Sequence, residues 1–174
     1  MFIFPCRGIT PQIHESCFIA PNATIVGEVM LGEYCSVWFN AVIRGDVNSI
    51  TIGSHCNIQD NATIHCTYQG AKTKLGNYVS IGHNAIIHGC TIEDNVLVGM
   101  GAIVMDNCYI EENSLIAAGA VVLEGTRIEA GTIYAGVPAR KVKSLPEDTF
   151  QSQNMRIAKN YTLYSSWFKN EGDS

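Results

Sequence analysis

No long basic run, no apolar stretch of membrane length and no CxxC pair occurs in these 174 residues. Each absence excludes something. With a net charge of −5 and its cations scattered, the chain lacks the surface that a nucleic acid requires. A membrane-spanning helix needs about 20 consecutive apolar residues, and nothing approaches that length. The opening Met1-Phe-Ile-Phe-Pro-Cys-Arg7 is too short an apolar run for an export signal, so the expected location is the cytoplasm. Seven cysteines is an odd count, which fits free thiols in a reducing compartment better than a disulfide framework. Helical and heptad periods are also missing from most of the chain.

What is present is a period of six. Aliphatic residues fall at Ile13, Ile19, Ile25, Leu31, Val37 and Ile43, then at Ile52, Ile58 and Ile64. After a polar insertion at Cys66–Lys74 they resume at Leu75, Ile81 and Ile87. One residue is then dropped, and the beat runs from Ile92 through Val98, Val104, Ile110, Ile116 and Val122 to Ile128. Short strands joined by tight corners account for this spacing, because strand alternation turns one residue per hexad inward. The slot four residues later is small, as at Cys17, Cys35, Cys56, Ala62, Ala85 and Cys108, so those cysteines read as corner fillers. Glycine and asparagine recur between strands, where turn dihedrals are needed.

The pattern resembles the hexapeptide-repeat family. That resemblance implies an all-β solenoid, a left-handed parallel β-helix with three hexads per coil. It covers roughly residues 13–133. Residues 1–12 lack the beat and are expected to cap the first coil. From Leu145 to Asn170 the period changes. Phe150, Ile157, Tyr161, Tyr164 and Phe168 fall at helical spacing behind Pro146, predicting a helix laid along the prism. The expected division is 1–144 for the solenoid and 145–174 for the helix and tail, ending in a frayed Gly172-Asp-Ser.

Three of the five histidines lie between Ile58 and Cys90. His65 and His88 each follow an inward isoleucine and are 23 residues apart. The step from Ile64 to Leu75 is 11 instead of six, so five residues are extra, and 18 remain: one full coil. The two imidazoles are therefore expected on one face of neighbouring coils, where they can share an ion. His83 belongs to the preceding hexad and a different face. It can reach such an ion only in a neighbouring copy, if three copies close around a threefold. Three nitrogen ligands leave a fourth position for water, the arrangement of a catalytic zinc. His14 and His55 have no partner motif. Cys66, beside His65, faces away from it by alternation.

Four further polar residues stand near this stretch. Arg44-Gly-Asp46 reads either as a turn with a surface ion pair or as an ordered pair at an interface. Gln59 and Asp60 read equally as polar turn residues or as groups that orient imidazoles, with Gln59 pointing outward. Trp38 and Phe39 interrupt the polar outward slots and suggest a subunit contact.

Together Arg44-Gly-Asp46, Asn57-Ile-Gln59-Asp60, His65, Gly82-His83 and Ile87-His88-Gly resemble the γ-class carbonic anhydrase family, in its ferripyochelin-binding-protein-like branch. The resemblance implies a homotrimer with a metal between subunits, held by His65 and His88 of one chain and His83 of the next. Zinc is the implied metal, with iron or cobalt as alternatives. It implies a hydroxide on that metal attacking CO2 to give bicarbonate, with Gln59 orienting the reactants. It places Arg44, Asp46, Asp60 and Asn57 in the supporting network. It also puts Tyr161 near the metal, for which core packing is the equal alternative. The family's fast members carry loop glutamates that export the proton. Val47–Ser49 and Cys66–Lys74 hold no acidic residue, which implies weak activity. Two other readings remain. Tyr134–Val142 resembles the terminal segment of CoA-dependent acyltransferases, and Arg140, Lys141 and Lys143 could hold a phosphate or simply be a solvated coil exit, so a CoA-linked acyltransferase or thioesterase is one. A non-catalytic metal-binding trimer is the other.

Overall fold

In a computed structural model, residues 1–144 and 146–169 are described. The aliphatic of nearly every hexad points inward. Ile25, Val37, Ile43, Ile58, Ile64, Ile81, Ile87, Val98, Val104, Ile110, Ile116, Val122 and Ile128 are fully buried. Their neighbours in the strand point out. Strands of two or three residues suffice because each pairs in parallel with the coil below and above, so the backbone is satisfied between coils. The result is a left-handed parallel β-helix of about seven turns.

The prism has three faces. One stacks Phe2–Phe4, the first half of Thr24–Leu31, the first half of Val42–Ile52, Thr63–His65, Ile86–His88, Ile103–Val104 and Val121–Val122. A second stacks Gln12–Ile13, the far halves of the two long strands, Thr73–Leu75, Thr91–Ile92, Tyr109–Ile110 and Arg127–Ile128. A third runs from Phe18–Ile19 through Ser36–Val37, Asn57–Ile58, Ser80–Ile81, Leu97–Val98 and Leu115–Ile116 to Thr132–Ala135, with Arg140–Ser144 turning back antiparallel at the end.

Corners repeat a left-handed residue, and along one edge Asn40, Asn61 and Asn84 all have φ of 60°. Near that edge two coils approach especially closely at Gly82. A Cβ on Gly82 would lie 2.7 Å from the Met100 amide nitrogen. The small slots are filled as expected: Cys35, Cys56 and Cys108 are buried, and the thiols of Cys17, Cys35 and Cys56 donate to carbonyls of the next coil. Residues Phe2–Phe4 do cap the first coil, pairing with Thr24–Val26.

The helix spans Glu147–Lys169 and lies on the third face. Buried Asn154 donates to the carbonyls of Asn95 and Ser114, fixing it to two coils at once. Its last turns rest on an aromatic cluster. Trp38 and Phe168 each meet Phe18 and Phe39 and one another at tilted or edge-on angles, with ring centres 5.2–6.4 Å apart, and Tyr161 meets Trp38 edge-on. This corrects one expectation: Trp38 is not free for another subunit but is buried as the seat of the chain's own helix. Leu145, residues 170–174 and the side chain of Phe150 lie outside the described residues. No described helix is long and apolar enough to cross a membrane.

Candidate metal centre

Parallel in-register stacking turns sequence offsets into positions. His65 pairs directly with His88 in the register of the first face, so the five-residue correction holds. His65 Nδ1 and His88 Nε2 are 3.0 Å apart. Each ring gives its other nitrogen to a carboxylate: His65 Nε2 to Asp46 at 3.0 Å, and His88 Nδ1 to Asp106 at 2.5 Å. An ionised carboxylate only accepts, so those two nitrogens carry the protons. With both rings neutral, the two nitrogens that face each other are acceptors, an arrangement that a cation between them would satisfy. Zinc–nitrogen bonds of about 2.05 Å at the tetrahedral angle set two ligand nitrogens about 3.3 Å apart. In spacing the pair thus fits a shared metal.

Both carboxylates are built to stay charged. Burial pushes Asp46 upward, but its bonds to His65 and to Arg44, the latter at 2.5 Å, outweigh this and hold it below the usual carboxylate range. Asp106 behaves alike: burial raises it, and the bonds from Thr67 and His88 lower it further. Cys66 points inward as expected, its thiol donating to the Asn48 carbonyl.

His83 stands apart, on the edge between the first and third faces. Its Nδ1 meets Asp60 at 2.9 Å and its Nε2 is 3.3 Å from the Tyr161 hydroxyl. Burial raises Tyr161 to about 12, with the Asp60 charge adding to the effect, so it stays a neutral phenol. Gln59 shares a groove of about 400 Å³ with His83 and Tyr161, walled by Leu97, Leu115 and Ile157. Gln59 points out of the prism as expected, yet it is buried, because the helix covers that face. Its amide donates to Asn57, which in turn donates to Ser80, so the orientation of Gln59 is fixed.

The residues singled out in the sequence therefore fall into two clusters. Arg44, Asp46, His65 and His88 form one, on the open first face. Asn57, Gln59, Asp60, His83 and Tyr161 form the other, under and beside the helix. Among the described residues, no group of three or more His, Cys, Asp or Glu within one chain is placed to hold a metal ion.

Sequence reasoning missed Asp106 and Thr67. Dropping one residue after His88 makes that coil 17 residues long, so Met105 stands opposite His88 and Asp106 opposite Gly89. Counting by 17 there would have pointed to the spot. The pairing of Asp60 with His83 was available too, since their offset is 23, the same as from His65 to His88.

The hexapeptide family model, "Bacterial transferase hexapeptide (six repeats)", matches residues 10–45 and 89–124. A Methanocaldococcus jannaschii protein named "Probable carbonic anhydrase" is 57% identical over 141 residues, 81% of this chain and 88% of that protein. "Gamma carbonic anhydrase 2, mitochondrial" of Arabidopsis thaliana is 40% identical over 87% of this chain, which spans 56% of that longer protein. A solved hexapeptide transferase family protein from Anaplasma phagocytophilum superposes with a TM-score of 0.91 at 38% identity, over 96% of this chain and 98% of that one. With its repeat, its histidine register and relatives this close over most of its length, the chain belongs to the γ-class carbonic anhydrase family of hexapeptide-repeat proteins.

Proposed function

We propose that the protein is a metal-dependent lyase that hydrates CO2, with its site completed between three copies of the chain. One observation carries the reading: two imidazole nitrogens converge on the open face, 3.0 Å apart, while the third histidine stands on a different edge beside Asp60. His65 and His88 of one chain and His83 of a neighbouring copy would hold the metal. The chemistry of the face supports assembly. The column through His65 and His88 starts at exposed Phe4 and continues upward to Met105 and Leu123, and beside it Phe2 and Ile86 are 52% and 40% exposed. An apolar strip of this kind supports a contact between copies. The second face carries Thr51, Lys74, Thr91, Tyr109 and Arg127 outward and suits solvent.

When bound, the metal supplies Lewis acidity, making water acidic enough to react with CO2 near neutral pH. The chain's residues do the rest. Asp46 and Asp106 keep the facing nitrogens of His65 and His88 free of protons. Asn57 and Ser80 hold the Gln59 amide so that it can orient CO2 or bicarbonate. Tyr161, neutral over the working range, offers a fixed hydroxyl beside His83. Zinc is the first metal to test, then iron and cobalt.

Native mass with elemental analysis tests the assembly, and stopped-flow CO2 hydration tests the activity. A trimer with about one metal per chain, and turnover abolished by His88→Ala, is expected. A metal-free monomer would end the reading, and a metal-bearing trimer whose turnover equals that of His88→Ala would leave only a metal-stabilised scaffold. The groove beside His83 favours a second reading. Its volume far exceeds the needs of CO2, and its apolar walls suit the acyl group of a CoA ester, for an acyltransferase or thioesterase. Calorimetric titration with CoA and acetyl-CoA decides this, and absence of binding discards it.

A further inference from the structure

We infer that Asp106 is the positioning residue for His88, and that the Cys66–Lys74 insertion serves to clamp it in place. The inference rests on the metal-site reading above. His88 Nδ1 and Asp106 Oδ1 are 2.5 Å apart, and Asp106 Oδ2 accepts the Thr67 hydroxyl at 2.5 Å. Both carboxylate oxygens are thus engaged, and the rotamer is locked from two directions.

The backbone is shaped around this contact. Gly89 adopts φ of 55°, and a Cβ there would lie 2.3 Å from Asp106 Oδ1. Only glycine leaves room for the carboxylate beside the imidazole. Asn107 N donates to the Gly89 carbonyl at 2.7 Å, which fixes the start of the corner that carries Asp106. The insertion closes the arrangement. Its Thr73 hydroxyl donates to the His65 carbonyl at 2.5 Å and accepts from Gly89 N at 3.0 Å. Asn48 donates to the carbonyls of Thr67 and Gly70, holding the loop against the coil. Threonines 67 and 73 therefore tie the two histidine-bearing coils together and present Asp106 to His88.

The chemical consequence is tautomer selection. A carboxylate on Nδ1 demands a proton there and leaves the Nε2 lone pair facing His65. Without Asp106 the imidazole has no reason to prefer that tautomer, and the ring is free to turn.

The test uses the full-length protein at pH 8, with and without metal. Nitrogen-15 spectra of the metal-free chain report the His88 tautomer, and competition with a chelator reports the Kd for Zn2+. Wild type is expected as the Nδ1–H form. Asp106→Ala should show mixed tautomers and 10–100-fold weaker zinc binding, the range typical for loss of such a partner. Asp106→Asn, which keeps an acceptor oxygen, should fall between, and Thr67→Val should weaken binding less than Asp106→Ala. Asp94→Asn, on another edge, should match wild type. An Asp106→Ala protein with wild-type tautomer, or with a zinc Kd within twofold of wild type, overturns the inference. Should Asp106→Ala fail to fold, Asp106→Asn and Thr67→Val carry the same two readouts. If wild type binds no zinc, the metal-site reading fails by itself, and the tautomer comparison still decides the role of Asp106.

Discussion

Gly82→Ala isolates how closely the coils must approach for His83 to stand where it does. Gly82 directly follows Ile81, which pairs with Val98 in the coil above, and His83 comes next. An added Cβ would sit 2.7 Å from Met100 N and 2.8 Å from both Gly99 C and Val98 O. All three are backbone atoms, so no side chain can swing aside. Ordinary contact begins near 3.4 Å, so the two coils must part locally by about 0.7 Å. The bond from Gly82 N to Val98 O is 2.8 Å, and that separation stretches it to about 3.5 Å, the limit of a hydrogen bond. Overpacking costs about 1–3 kcal/mol and a weakened hydrogen bond about 1 kcal/mol. A total of about 2–4 kcal/mol corresponds to a fall in Tm of about 5–15 °C for a chain of this size. Differential scanning calorimetry at matched protein and metal concentration measures it. Because His83 moves with its coil, the zinc Kd of the same variant should weaken as well. A Tm within 2 °C of wild type would refute the close-approach argument, on the order of 1 kcal/mol being resolvable by this assay.

The contrasting glycine is Gly101, where φ is 67° and nothing lies within 4 Å of a built Cβ. There Gly101→Asn should change stability by less than about 0.5 kcal/mol, whereas Gly101→Val should cost about 1–2 kcal/mol, both read by urea denaturation. Burial raises the thiols of Cys66, Cys90 and Cys108, and Cys35, stacked between Cys17 and Cys56, is raised to about 12. A chromogenic disulfide reagent at pH 8 should therefore react with Cys6 and Cys17 at most, and with all seven only after unfolding; early reaction of a third thiol contradicts the packing. Tyr161 should ionise near pH 12 in the folded protein, against about 10 unfolded, as followed by phenolate absorbance and its loss in Tyr161→Phe. Because the folded value is the higher, its contribution to stability is intact below about pH 10 and is lost as pH rises toward 12. Trp38→Ala removes the seat shared by Phe18, Tyr161 and Phe168 and should cost about 3–5 kcal/mol, with loss of helical circular dichroism preceding loss of the β signal.

Much of the site was legible because a solenoid maps sequence onto space almost linearly. One buried residue per hexad sets the register, and a correct count of inserted residues places His65 on His88. The same count applied to Asp60 would have set it beside His83. Asp106 escaped because its coil is one residue short, so residues of that one coil stand 17 and not 18 after their partners in the coil below. Trp38 was misread for a different reason: an outward aromatic on a repeat looks alike whether a neighbouring copy or the chain's own helix covers it.

The sequence by itself determined the coil, its inward residues, the corner fillers and the alignment of two imidazoles, since all of these follow from local alternation and the length of each turn. Only the tertiary structure decided which face the helix covers, and with it the burial of Gln59 and the contact of Tyr161 with His83; it also decided, separately, how the loop clamps Asp106. Those features depend on how separate elements meet through side chains far apart in the chain, and a period of six carries no information about that meeting.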